Sequence, residues 1–299
     1  MVVGLAGLLD LGYIAFFGVG AYTAALLSDA VFTTSHVKLN FALVIFLAAL
    51  TAAVFGIILG APTLRLRGDY LAIVTLGFGE IFVLVAQNWD GATRGPNGIA
   101  GIPNLVTPNG FDFGKAHTVF GVSLPYFANY YYLLLVVLAA VCVIFTRLND
   151  SKIGRGWVAI REDEIAAQAM GVNTWNLKLL AFAMGAFLSG AAGSVQAHLS
   201  TSVTPDSYVF LESVTLLAAV VLGGMGTLPG AILGMTILRV MPEKFRSFQD
   251  FRLMLFGLAL ILIMRYRPEG IIPSRRRQLE FHDQQSGADA MSAPVGPAS

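Results

Sequence analysis

The sequence predicts an all-α protein that crosses a membrane several times. Of its 299 residues, 56% are hydrophobic and only 12% are charged, whereas a soluble domain contains about 25% charged residues. Several stretches also reach the length of about 20 apolar residues that a bilayer requires. Glycines interrupt many of these stretches, which predicts that some of the helices are broken.

Eight apolar stretches have the composition of membrane-spanning helices. They are residues 2–28, 40–60, 69–87, 129–147, 177–198, 209–223, 230–241 and 252–266. Between the sixth and the seventh, the run from Gly223 to Gly230 contains too many glycines to continue a regular helix. It predicts either a tight turn at the surface or a re-entrant stretch buried in protein.

The distribution of Lys and Arg predicts the orientation, because cytoplasmic loops carry an excess of these residues. With eight spans, residues 149–176 and both ends of the chain fall on the side richer in Lys and Arg. We therefore expect residues 1–279 to form one transmembrane domain and residues 280–299 to form a disordered cytoplasmic tail. The loop at 88–128 is expected outside, either against a partner or as a connector.

One polar segment lies between the fourth and fifth predicted spans. Residues 161–164 read Arg-Glu-Asp-Glu, and alanines follow until Gly171. Acids favour the positive end of a helix dipole, and glycine suits the left-handed residue that ends a helix. The pattern predicts a short helix over 161–171, and Trp157 before it is expected at the lipid–water boundary. Two interpretations are open: a docking surface for another protein, or a solvated helix without a partner.

A few ionisable residues lie in or near the apolar spans. Such residues usually face the interior of a bundle or a cavity. Glu80 and Glu212 are therefore candidates for a translocation route. Pairing with polar neighbours or capping of broken helices explains Glu80 equally well, and it explains Glu212 better, because Glu212 lies within a turn of the outer surface. Asp10 falls in a glycine-rich break, where capping of the backbone is the expected role. His198 is expected at the membrane interface, since no second ligand stands at metal-binding spacing.

Several blocks of the sequence resemble the LivM-type permeases of branched-chain amino acid ABC importers. The blocks are Gly-Leu-Leu-Asp-Leu-Gly-Tyr at 7–13, Gly-Val-Gly-Ala-Tyr at 18–22, the stretch 65–80 that ends in Leu-Gly-Phe-Gly-Glu, Gly-Pro-Asn-Gly-Ile at 95–99, Arg-Glu-Asp-Glu at 161–164, Val-Leu-Gly-Gly-Met-Gly-Thr at 221–227 and Arg-Pro-Glu-Gly at 267–270. They follow the order of the family. Such permeases usually have a further helix before the first block, which favours a Met1 that is internal to a longer natural chain.

The resemblance implies a role for the 161–171 segment. ABC importer permeases carry a cytoplasmic Glu-Ala-Ala-x-x-x-Gly loop, whose helix sits in a cleft of the ATP-binding subunit. Ala166, Ala167 and Gly171 match the two alanines and the glycine of this pattern, but Ile165 occupies the glutamate position. The residues implied in coupling are Arg161, Glu162, Asp163, Glu164, Ala166, Ala167 and Gly171. Possible pathway or helix-break residues are Glu80, Glu212, Gly223, Gly224 and Gly226.

The resemblance further implies a permease subunit for branched-chain, hydrophobic amino acids in a bacterial plasma membrane. Its expected partners are two ATP-binding subunits, a second related permease, a periplasmic amino-acid-binding protein and membrane lipid. We expect no cofactor, no metal and no enzymatic activity, since no phosphate-binding Gly-x-x-x-x-Gly-Lys-Ser/Thr loop occurs. The net charge of +1 argues against nucleic acid as a partner. Alternatives are a permease of the same family for urea, amides or other amino acids, and a stand-alone secondary transporter.

Overall fold

A computed structural model describes residues 2–28, 40–64, 66, 69–106, 112–115, 117–119, 122–244, 257, 261, 265 and 270–272. The structure is mostly helical, as the sequence predicts. Its α-helices are α1 (Val2–Leu5), α2 (Tyr13–Ser28), α3 (Phe41–Thr63), α4 (Asp69–Asn88), α5 (Asp90–Thr93), α6 (Tyr126–Asn149), α7 (Lys152–Glu162), α8 (Glu164–Ala169), α9 (Thr174–Ser200), α10 (Phe210–Gly223) and α11 (Leu228–Lys244). Its short strands are β1 (Ile99–Ala100), β2 (His117–Val119), β3 (Val122–Leu124) and β4 (Ser202–Val203).

Five helical segments of the described chain are long and apolar enough to cross a membrane. They are Phe41–Thr63, Tyr70–Asn88, Tyr126–Asn149, Thr174–Ser200 and Pro205–Gly223, in which a 3-10 turn precedes α10. The apolar helices Tyr13–Ser28 and Leu228–Val240 are shorter. Six predicted spans therefore contain a helix of similar bounds. The last predicted span, 252–266, lies outside the described residues apart from three isolated positions.

The first predicted span contains a break, as the glycine-rich stretch around Asp10 predicts. α1 ends at Leu5 and α2 begins at Tyr13, with irregular backbone between them. Side chains satisfy part of this backbone: Leu11 N donates to Thr75 Oγ1 at 3.0 Å, and Gly12 N donates to Asp10 Oδ1 at 3.0 Å. Irregular backbone is tolerated at membrane depth when protein groups satisfy it in this way. Asp10 thus caps the break, as the sequence predicts.

The chain forms two compact units, Met1–Val214 and Thr215–Ser299. In the first unit, α2, α3 and α9 pack closely, with small residues at their contacts. A Cβ on Gly20 of α2 would overlap the backbone of Gly190 in α9, and Gly190 in turn lies against Ala52 of α3. Small residues let helix backbones approach each other in lipid, where dispersion contacts drive association. Close packing between helices accounts for Gly20 and Gly190.

The described part of the loop at 88–128 packs against its own chain. β1 pairs antiparallel with β4, in the register Ile99 to Val203, and β2 pairs with β3. Ile99 is buried, and so is His198 near the end of α9. The His198 ring bonds to Ser194 O at 2.7 Å and to Ser28 Oγ at 3.0 Å. The ring therefore fills a polar niche between α2 and α9, near the end of α9.

In the second unit, the glycine run joins α10 to α11 in a tight turn. A Cβ on Gly223 would overlap the carbonyl of Gly230, so the two helices meet backbone to backbone. Ile271 N donates to Leu222 O at 3.0 Å and Ile272 N donates to Gly223 O at 2.9 Å, which satisfies carbonyls at the end of α10. Of the two predicted alternatives a turn has formed, but its first glycines are buried rather than at the surface.

Candidate functional site

The polar segment between α6 and α9 folds as two helices rather than one. Ser151 Oγ accepts from Gly154 N at 3.2 Å and caps α7, which continues to Glu162. Asp163 then adopts an extended conformation, with φ −154° and ψ 112°. The predicted single helix over 161–171 is therefore wrong at its start: Arg161 and Glu162 close α7, and α8 begins at Glu164.

Local sequence determines both ends of α8. Asp163 Oδ1 accepts from Ile165 N at 2.8 Å and from Ala166 N at 3.0 Å, which satisfies donors that a helix start leaves unpaired. At the other end Gly171 has φ 82°, and Gly171 N donates to Gln168 O. Val172 N donates to Ala167 O, which completes a Schellman cap. The acidic start and the glycine stop are confirmed.

Trp157 attaches α7 to α9. Its side chain is fully buried, and Nε1 donates to Leu177 O of α9 at 2.7 Å. Leu5, Ala6 and Ala181 pack around it. The expected place of Trp157 at the lipid–water boundary is wrong, because Ile153, Trp157 and Ile160 share the face of α7 that turns to the protein.

Polar contacts tie α8 and the end of α7 to the membrane helices. Arg161 Nη1 donates to Gly4 O of α1 at 2.9 Å. Glu164 forms an ion pair of 2.6 Å with Lys178 of α9, whose side chain is only 6% exposed. Gln168 Nε2 donates to Thr174 Oγ1 at 2.9 Å. Arg161 and Glu164, both predicted as coupling residues, therefore bond to their own chain.

One exposed side of α8 is apolar, although Gln168 is also exposed on this helix. Ile165 is 68% exposed and Met170 is 84% exposed. Ala166 and Ala169 between them are also exposed, and their side chains are small. These four residues form the α8 face. Of the other predicted coupling residues, Glu162 and Asp163 are exposed beside this face, Gly171 is exposed just after α8, and Ala167 is buried against the protein.

Sequence reasoning missed three residues of this site. The sequence marks Ile165 only as a departure from the Glu-Ala-Ala pattern, and no role is predicted for Met170. Their signal was the presence of large apolar side chains in an otherwise polar segment. Lys178 was also missed, although a lone cation at the start of an apolar helix needs a partner when it is buried.

The candidate pathway residues lie away from α8 in the sequence and on other helices. Glu80 is exposed in α4 and makes no hydrogen bond or ion pair with any residue that the structure describes. Glu212 is half-buried in the first turn of α10, where an acid suits the helix dipole. Gly223, Gly224 and Gly226 belong to the turn of the second unit, where packing and backbone conformation account for them.

Comparison with known proteins assigns the chain to a family. A family model described as "Branched-chain amino acid transport system / permease component" matches residues 1–264. The high-affinity branched-chain amino acid transport system permease protein LivM of Salmonella typhimurium is 41% identical over 298 residues, which cover 96% of this chain and 68% of LivM. LivM of Escherichia coli is 41% identical over 293 residues, which cover 94% and 67%.

A second kind of permease is also similar to the chain. LivH of Salmonella typhimurium is 29% identical over 190 residues, which cover 62% of this chain and 59% of LivH. No solved structure matches. The chain belongs to the permease components of branched-chain amino acid ABC transport systems, polytopic membrane subunits that are not enzymes and rely on separate subunits for ATP hydrolysis.

Proposed function

We propose that this chain forms, together with a second related permease, the membrane pathway of an importer for branched-chain amino acids. The observation that carries the proposal is the 41% identity to LivM of Salmonella typhimurium over 96% of the chain. LivH of the same organism is a further branched-chain amino acid permease that is similar to this chain. That similarity supports a pair of related permease subunits around one pathway.

The α8 face is the proposed contact for an ATP-binding subunit. Large exposed apolar side chains on a polar segment are typical of protein–protein contacts. Here Ile165 and Met170 project beside low alanines, so a partner's cleft can approach the helix backbone closely. The charged neighbours Glu162 and Asp163 supply the polar rim that such contacts usually have.

In the proposed arrangement, Arg161 and Glu164 connect the docking segment to the membrane helices and do not contact the ATP-binding subunit themselves. Their bonds to Gly4 and Lys178 join α8 and the end of α7 to α1 and α9. A push on the α8 face then moves membrane helices rather than a free loop. We place residues 149–176 and both chain ends in the cytoplasm of a bacterium, residues 88–128 outside, and residues 280–299 in a tail outside the described structure.

The remaining parts of the proposed system rest on the likeness to permeases of branched-chain amino acid transport systems. A periplasmic binding protein delivers the amino acid to the outer face of the permease pair. Closure of the two ATP-binding subunits moves their clefts, and the two permeases switch the pathway from one side to the other. The differential binding of α8 in the two nucleotide states supplies the free energy of the switch.

The test is uptake by the complete transporter. The chain is expressed with its second permease, two ATP-binding subunits and binding protein in cells without other branched-chain uptake. Uptake of labelled leucine should depend on ATP and should be inhibited by leucine, isoleucine and valine. Inhibition only by another amino acid, an amide or urea would replace the proposed substrate. An assembled complex that imports none of these solutes would overturn the proposal.

A further inference from the structure

One face of α4 carries both apolar side chains and a carboxylate. Ile73, Gly77, Glu80, Ile81 and Leu84 recur at spacings of three and four residues, so they lie on one side of the helix. The side chains of Ile73, Glu80, Ile81 and Leu84 are exposed. A Cβ on Gly77 would meet no atom within 4 Å. These five residues form the α4 face, which has an open notch at Gly77.

Glu80 lies well inside α4. The helix has 20 residues, and eight of them, 81–88, separate Glu80 from the nearer end. At a rise of about 1.5 Å per residue, this distance is about 12 Å. A charged side chain that faces lipid at such depth is costly, and such residues almost always face a bundle interior or a water-filled cavity. Among the described residues, Glu80 has no hydrogen-bond or ion-pair partner that would lower this cost.

Two other candidate spanning helices expose faces that carry no charge in their inner part. α3 exposes Val54 and its neighbours and contains no Asp, Glu, Lys or Arg. α6 exposes Val136 at 64%, and its one such residue, Arg147, lies in the last turn. These faces suit lipid along their full length. The α4 face differs from them by a carboxylate in its inner part.

We propose that the α4 face lines the substrate pathway and that Glu80 receives the α-ammonium group of the transported amino acid. The proposal rests on the proposed function, which supplies a zwitterion with a branched apolar side chain. A carboxylate and an ammonium group form a charge-assisted hydrogen bond. Ile73, Ile81 and Leu84 offer apolar surface to the substrate side chain, and the notch at Gly77 leaves room for it.

The first test asks whether the α4 face meets water. Cys142 is the only cysteine of this chain, so Cys142→Ala provides a form of the chain without thiols, and labelling is then read on this chain alone. In this background Ile81→Cys places a thiol on the α4 face, and Val54→Cys and Val136→Cys place matched thiols on exposed positions of α3 and α6. Membrane-impermeant thiol reagents, one cationic and one anionic, are applied to the assembled transporter in membranes.

The thiol at position 81 should react at least about tenfold faster than both controls, because ionised reagents reach only water-filled surfaces. The cationic reagent should react faster than the anionic one, and Glu80→Gln should remove that preference. Reaction at the rate of the controls would overturn the inference, since the face would then meet lipid or a dry contact with the second permease.

The second test asks what Glu80 does. Glu80→Gln should lower uptake of labelled leucine by about tenfold or more, the effect expected of a lost charged partner, while Glu80→Asp should retain more uptake. Yield of the assembled complex should stay unchanged in both variants, which separates a lost substrate contact from a failure to fold. Normal uptake by Glu80→Gln beside normal uptake by the wild type would overturn the inference and leave the proposed function intact. A wild-type complex that imports no amino acid would overturn both the proposed function and this inference.

Discussion

Arg161, at the end of α7, donates a hydrogen bond from Nη1 to the carbonyl oxygen of Gly4 in α1, at 2.9 Å. The two residues are 157 positions apart in the sequence. α1 leads into the helix break, and there Leu11 N donates to Thr75 Oγ1 of α4. The segment that ends beside the α8 face is thus connected by two hydrogen bonds and a short stretch of chain to α4, the helix that carries Glu80.

Arg161→Ala should weaken the coupling of ATP hydrolysis to transport. The substitution removes the bond between α7 and α1 without changing the α8 face, so ATP-binding subunits should still bind. We expect uptake to fall about tenfold at unchanged basal hydrolysis, within the range of coupling free energies between sites. Uptake and hydrolysis are measured on the same reconstituted complex.

Arg155→Ala is the matched control for this prediction. Arg155 lies on the same helix and is exposed, and its Nη1 bonds to the nearby Asp150 O rather than to α1. The control should couple normally. Equal coupling in the two variants would show that the contact between Arg161 and Gly4 does not transmit the movement.

Gly7→Ala should disturb the same contact from the other side. Gly7 has φ 68°, and a Cβ on it would lie 2.8 Å from Arg161 Cγ. The left-handed conformation costs a residue with a side chain about 1–2 kcal/mol, and the Arg161 side chain would also have to move. We expect a lower thermal stability of the complex together with reduced uptake per ATP hydrolysed.

Gly101→Ala separates these two effects. Gly101 also has a positive φ, of 79°, but a Cβ there would meet no atom within 4 Å. This control should therefore show the backbone strain alone, with uptake per ATP unchanged. The same loss of coupling in both variants would assign it to instability.

Glu164→Lys should be destabilising for a reason unrelated to docking. It would place two cations together, with the side chain of Lys178 only 6% exposed. We expect a loss of about 2 kcal/mol, the range for a lost hydrogen bond to a charged group. The double variant Glu164→Lys with Lys178→Glu reverses the pair and should recover part of the loss in thermal unfolding. No recovery would mean that the ion pair does not stabilise α8.

Ile165→Asp and Met170→Asp should each block binding of the ATP-binding subunits. An introduced carboxylate at a contact that buries an apolar side chain costs about 2 kcal/mol or more, or over tenfold in affinity. Binding is measured by co-purification and by ATP-dependent uptake. Asn176→Asp provides a control with the same charge, because Asn176 is exposed outside the α8 face. Normal binding in both face variants would move the docking surface elsewhere.

The predicted spans fared differently for physical reasons that particular residues show. The helix Phe41–Thr63 was predictable because its length and composition alone match a bilayer. The break after Leu5 was predictable only in part: Gly7, Asp10 and Gly12 indicate it, but they do not show what stabilises it. Its irregular backbone is stabilised by Thr75, 64 positions away from Leu11, and no local pattern announces such a partner.

The capping of α8 belongs to the sequence itself. Asp163 and Gly171 act on backbone groups within a few residues, so composition and order determine where α8 begins and ends. The family was equally predictable from the sequence, because the blocks that identify it are local and follow one order. The use of Arg161 and Glu164 was decided only by the tertiary structure. The resemblance implied contact with a partner, but the fold places Gly4 and Lys178 within bonding distance of these two side chains, and a buried cation binds the nearest carboxylate.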